Sequence, residues 1–277
     1  MLWLNGAEIG PEKSTVTTAE TNQYTRRNIE TMEMLYGTGY LSMGGDGEVA
    51  DIVAQVDVAG KDVLDIGCGL GGALIALTRN HHARHAHGID IDAGVLERAS
   101  ALVSAAELQE RISLTRFEPG PLPLADASFD LVFLTAVSCH IQDLVPFFAE
   151  IRRVIRPGGQ LVGGEWFRHL DNQAYREWDE LLRNRGLDFY FVTAEQFKAA
   201  LLGSGFEETS IVDRSSAMAS LTQRYLDRVQ HELKDRLLDA MGEEDYAALL
   251  EWTRIRANGL AQNGSGYGHF VAGKTGI

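Results

Sequence analysis

Val63-Leu64-Asp65-Ile66-Gly67-Cys68-Gly69-Leu70-Gly71-Gly72 decides the fold of this 277-residue chain. Its first four residues read as a buried strand. Three glycines then alternate with other residues, and an apolar helix is expected from Leu70 to about Asn80. Glycine is needed where the backbone turns sharply and a ligand lies against it, because a Cβ there would clash. The helix that follows offers its N-terminus to the negative end of that ligand. Asp65 stands at the strand end, where dinucleotide-binding turns usually carry an apolar residue. A carboxylate there suits a ligand with its own ammonium group and ribose rather than a pyrophosphate. A second strand, Ala86-His87-Gly88-Ile89-Asp90, ends in an acid placed to accept hydrogen bonds from ribose hydroxyls. The alternative is an NAD-binding unit, although the third glycine of G-x-G-x-x-G is displaced.

Outward from this stretch, strand and helix alternate. Strands are expected at 62–66, 85–90, 111–117, 129–134, 160–166, 206–212 and 267–272, the last antiparallel to its neighbour. Between the early ones lie helices over about 70–80, 93–108 and 143–155, with Asp143 as a cap and Arg156-Pro157-Gly158-Gly159 as a stop. Such alternation predicts a sheet, mostly parallel, with helices on both faces and ligands at the carboxyl ends of its strands. Before it, residues 1–15 read as a loose arm, a helical pattern starts at Thr18, and Gly47–Val56 reads as a short helix. After it, helices are expected over 171–184 and from the Thr193 cap to Gly203. Long amphipathic stretches cover 215–241 and 243–258. The domain plan is therefore a helical lid over 1–45 and a main domain over 46–277 with a helical insertion at about 214–262.

Composition bounds the function. Hydrophobic residues at 45% and charged residues at 23% are ordinary for a soluble globular protein. A formal net charge of −14 argues against nucleic acid as a partner, which calls for clustered Lys and Arg. No stretch approaches the ~20 apolar residues of a membrane span, and the start lacks the pattern of a signal peptide. A cytoplasmic location is expected, with a small-molecule substrate. Two cysteines, Cys68 and Cys139, make no disulfide framework. His81, His82, His85 and His87 straddle a helix end and a strand start, where side chains diverge, so no metal site is expected. Cys139 and His140 are adjacent and do not face each other as a thiol–imidazole pair would.

The glycine turn with Asp65 and Asp90 resembles class I S-adenosylmethionine-dependent methyltransferases. Further stretches narrow the likeness: Thr21-Asn22-Gln23-Tyr24-Thr25, Tyr36-Gly37-Thr38-Gly39-Tyr40-Leu41-Ser42-Met43-Gly44-Gly45, His140, and the closing Tyr267-Gly268-His269-Phe270-Val271-Ala272. With these the chain is similar to the phosphoethanolamine N-methyltransferase family from Asn22 to Lys274. The resemblance implies a Rossmann-like, doubly wound, seven-stranded sheet and S-adenosyl-L-methionine as methyl donor. Asp65, Gly67 and Gly69 would contact its methionine end, reached from the lid by Gln23, Tyr40 and Ser42. Asp90 would take the ribose, Ile91 the adenine face and Glu118 the adenine amino group.

Tyr24 and His140 match the family's catalytic pair. Methyl transfer is an in-line displacement that needs an unprotonated nucleophile and a dry site, and a histidine can take the proton of an amine. The acceptor pocket departs from the family. Ala136 stands where an acid precedes the histidine by four residues. Trp166 replaces one tyrosine of the phosphate site, and Phe189, or Tyr190 if the gap is moved, falls at the other. Arg185 stands in for the arginine, and Ile255 and Arg256 are nearest to the lysine. These departures leave the acceptor open between an amine nitrogen of a small polar metabolite and a thioether sulfur. A cofactor-binding protein without turnover is the third reading.

Overall fold

A computed structural model describes residues 24–118, 120–187 and 189–276. Seven strands form one sheet in the order β3-β2-β1-β4-β5-β7-β6: β1 (Asp62–Ile66), β2 (His85–Asp90), β3 (Ile112–Arg116), β4 (Phe129–Thr135), β5 (Ile155–Arg168), β6 (Thr209–Asp213) and β7 (Ser265–Gly273). The strands β3 to β5 pair in parallel, whereas β7 lies antiparallel between β5 and β6.

Alternation along the central strands sends side chains into two layers. Leu64, Ile66, Val132 and Leu134 pack on one face with Phe148 and Ile151 of α5 (Leu144–Val154) and Phe197 and Leu201 of α7 (Ala194–Gly203). Val63, Leu131 and Phe133 meet Val49 and Ile52 of α2 (Gly45–Val53) and Ala76 and Leu77 of α3 (Gly72–Arg79) on the other. On that side α4 (Ala93–Ala105) adds Leu96 and Val103 beside Ala86 and Ile112. Caps set several helix starts: the Asp92 and Asp143 carboxylates accept from Val95 N–H and Val145 N–H, and Thr193 with Gln196 forms a capping box.

The helical arm is α6 (Gln173–Asn184), α8 (Ser215–Asp227) and α9 (Lys234–Ala261), with α1 (Arg26–Tyr36) against it through Leu35, Val229, Leu233 and Tyr246. Several boundaries differ from the sequence expectation. Thr25 caps α1, so the helical pattern runs from Arg26 within the described residues; the expected start at Thr18 lies outside them. The helix after the glycine turn begins at Gly72 rather than Leu70, because Gly71 sits at φ 81°. Arg156-Pro157-Gly158-Gly159 does not separate helix from strand: β5 already pairs at Ile155 and slips register between Phe129 and Leu131. The stretch 215–241 is broken by a π-helical turn at Arg228–Glu232, whose Val229 carbonyl accepts from the Tyr246 hydroxyl at 3.1 Å.

Candidate active site

The glycine turn closes over the carboxyl end of β1. Gly67 has φ 69°, and a Cβ there would stand 2.5 Å from Val137 Cγ2, so only glycine fits. The Gly67 and Cys68 N–H groups donate to the Ile89 carbonyl at 2.8 and 3.1 Å, tying the turn to β2. Asp90 is held by two donors, Gly69 N–H at 3.0 Å and Asp92 N–H at 3.0 Å. Burial raises its carboxyl above the usual range and these bonds work against that rise.

Asp65 is in the opposite condition. It is 2% exposed, and among the described residues no hydrogen bond reaches its carboxylate. Burial, with Asp90 nearby, pushes it well above the carboxylate range. A buried acid without donors among the described residues is what a ligand ammonium would complete. The fit to an S-adenosyl group is therefore good: an open acid, a second acid at the next strand end, and a turn that a side chain would block.

The stretch from Gly37 to Gly45 lies over this turn. Gly72 N–H, the first of α3, donates to the Gly39 carbonyl at 3.0 Å, an approach that a Cβ on Gly72 would block at 2.5 Å. Leu41 packs on Gly69. The half-buried Tyr40 hydroxyl donates to Asp46, and burial with that bond raises its pKa. Ser42 is exposed. Tyr24 clusters with Leu41, Leu70, Val95 and Leu102 above the same turn, and Gln23 lies outside the described residues. On the far side Ile91 is 51% exposed and its carbonyl accepts from Arg116 Nε at 3.1 Å. Arg116 also pairs with the exposed Glu118 at 3.2 Å.

The residues expected on the acceptor side gather around a short 3-10 turn, Ser138–His140, after β4. The His140 ring lies 4.4 Å from that of Phe189, which stacks on Phe191 at 5.4 Å. Burial lowers the His140 pKa and keeps the imidazole neutral. Tyr190 N–H donates to the Cys139 carbonyl at 2.7 Å, so the segment carrying Phe189 and Tyr190 is fastened to the histidine turn. Trp166 meets Tyr267 edge-on at 5.1 Å within a cluster of Tyr36, Met43, Met218 and Tyr225. Arg185 lies over the Trp252 ring at 5.0 Å and donates to the Ala248 carbonyl at 2.8 Å. His140 is thus brought to Phe189 and Tyr190, whereas Tyr24 sits in the glycine-turn cluster.

Arg256, one of the two positions nearest to the family's lysine, reaches the Tyr36 hydroxyl at 3.1 Å, and its buried Nε has no partner among the described residues; the residue that sequence reasoning missed is Glu165. Tyr36 packs edge-on to Tyr225, whose hydroxyl accepts from Gly44 N–H at 3.3 Å. Glu165, 1% exposed, lies beneath the histidine turn. A lone acid in an apolar strand was its one visible signal. The histidine run pairs locally instead: His85 Nδ1 is 3.4 Å from Asp62 and His87 Nδ1 is 2.6 Å from Ser113 Oγ.

The sheet order with acids at the ends of β1 and β2 defines the class I S-adenosylmethionine-dependent methyltransferase architecture, and a methyltransferase domain family matches residues 64–163. Within that class the chain resembles the phosphoethanolamine N-methyltransferases. It is 28% identical over 257 residues to phosphoethanolamine N-methyltransferase 1 of Arabidopsis thaliana, covering 91% of this chain and 50% of the relative. The Plasmodium falciparum phosphoethanolamine N-methyltransferase is 25% identical, covering 86% and 88%. The chain spans about half the length of the plant relatives it matches. A structure of Haemonchus contortus phosphoethanolamine N-methyltransferase 2 with S-adenosyl-L-methionine superposes with a TM-score of 0.83 at 22% identity, over 92% of this chain and 58% of that one.

Proposed function

We propose that this chain transfers a methyl group from S-adenosyl-L-methionine to an amine nitrogen of a small polar metabolite. His140 carries the reading: it is a histidine kept neutral by burial, set against Phe189 at the carboxyl end of β4. When bound, the cofactor supplies an electrophilic sulfonium methyl. Asp65 would take its ammonium group, Asp90 its ribose hydroxyls, and Ile91 with Glu118 its adenine, while Gln23, Tyr40 and Ser42 close from the N-terminal lid. His140 would accept the proton that the amine must lose, with Tyr24 orienting the amine and latching the lid. The aromatic walls of Phe189, Tyr190 and Trp166 suit the cation formed as methyls are added.

Arg256, with its open Nε beside the Tyr36 hydroxyl, supports an acceptor that also carries an anionic group. Arg185, held against Trp252 and the Ala248 carbonyl, is less free to serve that group. Residues 1–45 act as the lid in this reading and the arm at about 214–262 closes the acceptor side. Two free cysteines accord with a cytoplasmic setting. Labelled methyl transfer from S-adenosyl-L-methionine into pools of amines and thioethers tests the proposal. Label in amines bearing phosphate or carboxylate supports it, and label confined to thioethers overturns it.

A further inference from the structure

We infer that Glu165 is a positioning residue for this transfer, holding the His140 turn and the Trp166 strand end in one arrangement. The inference rests on the proposed role of His140. Glu165 shares its face of β5 with Leu161 and Phe167, which lie in the apolar layer against α5 and α7. A carboxylate in such a layer persists only where donors replace its lost water. Three do so. Oε2 accepts from Ser138 N–H at 2.9 Å and from the Ser138 hydroxyl, and Oε1 accepts from Trp166 N–H at 2.8 Å.

Two of these donors belong to the turn that carries His140, and the third to the residue proposed to wall the acceptor pocket. The same turn offers the Cys139 carbonyl to Tyr190 N–H, which fixes Phe189 against the imidazole. One buried carboxylate therefore sets the direction of His140, the seat of its aromatic neighbour and the end of β5. Glutamine replaces it imperfectly, because in either orientation its NH2 faces a backbone N–H, of Ser138 or of Trp166, even though the Ser138 hydroxyl can turn to accept. The other titratable groups facing Glu165 are the Cys139 thiol and the Tyr267 phenol, both raised by burial.

The test compares Glu165→Gln with wild type in two ways. In the S-adenosylhomocysteine-bound protein, NMR of the His140 imidazole should show a titration midpoint moved up toward the ordinary histidine value in the variant, as the turn loosens and water enters. An unchanged His140 titration overturns the inference, and this readout needs no acceptor. With an amine acceptor, Glu165→Gln should lower kcat about 10- to 100-fold while S-adenosylhomocysteine affinity stays within about twofold. In a His140→Ala background the same change should cost less than about threefold more; full additivity overturns the inference. Should Glu165→Gln fail to fold, Ser138→Ala removes one donor and should shift both readouts the same way by less. A folded Ser138→Ala identical to wild type in both overturns it. A wild type that methylates no amine refutes the proposed function alone.

Discussion

Asp65 and Asp90 lie at the ends of neighbouring strands, yet among the described residues only the second finds hydrogen-bond donors. Asp90 already holds Gly69 and Asp92, so its truncation loosens the turn as well as removing the acceptor for a ribose. Each charge-assisted bond to a ribose hydroxyl is worth about 1.5–3 kcal/mol. Asp90→Ala should therefore weaken S-adenosyl-L-methionine binding at least tenfold in titration calorimetry, with far-UV circular dichroism unchanged. At His140 the sign of the pH effect follows from burial. Its pKa lies below the ordinary value and the neutral ring is the proton acceptor, so activity contributed by this residue is full near neutrality and falls only at pH below the ordinary histidine range. His140→Ala should lose that acidic limb and cost on the order of 10²–10⁴ in kcat, with cofactor affinity retained. A wild-type profile with no acidic limb down to the lowest pH at which the protein stays folded would contradict nitrogen as the acceptor.

Among the elements, the stretch ending at Gly45 touches α3 through one backbone bond, Gly72 N–H to the Gly39 carbonyl, and through Leu41 on the turn. A bound cofactor beneath Leu41 and Tyr40 would add contacts that the stretch otherwise lacks. Amide hydrogen exchange over 24–45 should slow on adding S-adenosylhomocysteine, whereas exchange in β4 and β5 should not change. Equal rates with and without ligand would remove the lid from the mechanism. The strands, the glycine turn and most helix caps were legible in the sequence, because period-2 patterns and local caps are written in neighbouring residues. Boundaries that depend on distant partners were not: β5 starts at Ile155 because β4 lies beside it. Of the residues expected for an acceptor pocket, His140 and Phe189 do lie together, but Tyr36 and Arg256 meet across 220 positions of chain, and no local pattern announces that pair. Glu165 reads locally as one strand residue among others, and only the turn above it shows what its carboxylate holds.

Across the molecule, charge is concentrated at the end of the sheet away from the proposed site. Asp62 and Asp130, at the starts of β1 and β4, share Arg156 at 3.1 and 2.9 Å, and Arg84 Nε donates to Asp62 at 2.8 Å. Arg84 above all holds the Asp62 carboxyl at about 2, below its ordinary 3.8. A carboxylate depressed in the folded state stabilises above its unfolded pKa, so this contribution is full near neutrality and fades as pH falls from about 4 toward 2. Asp62→Asn should lower Tm at pH 7 by about 2–4 °C, the shift expected for about 1 kcal/mol in a chain of this size, and lessen the further loss on acidification. S-adenosylhomocysteine affinity should not move. The place of β7 in the sheet carries another kind of consequence. During vectorial synthesis β6 emerges before β7, its neighbour among the described strands, and waits without that partner while the ribosome makes all of α8 and α9. The nascent chain can assemble β1 to β5 early but carries a bare strand until β7 slides between β5 and β6, which is the interval in which a chaperone would find it.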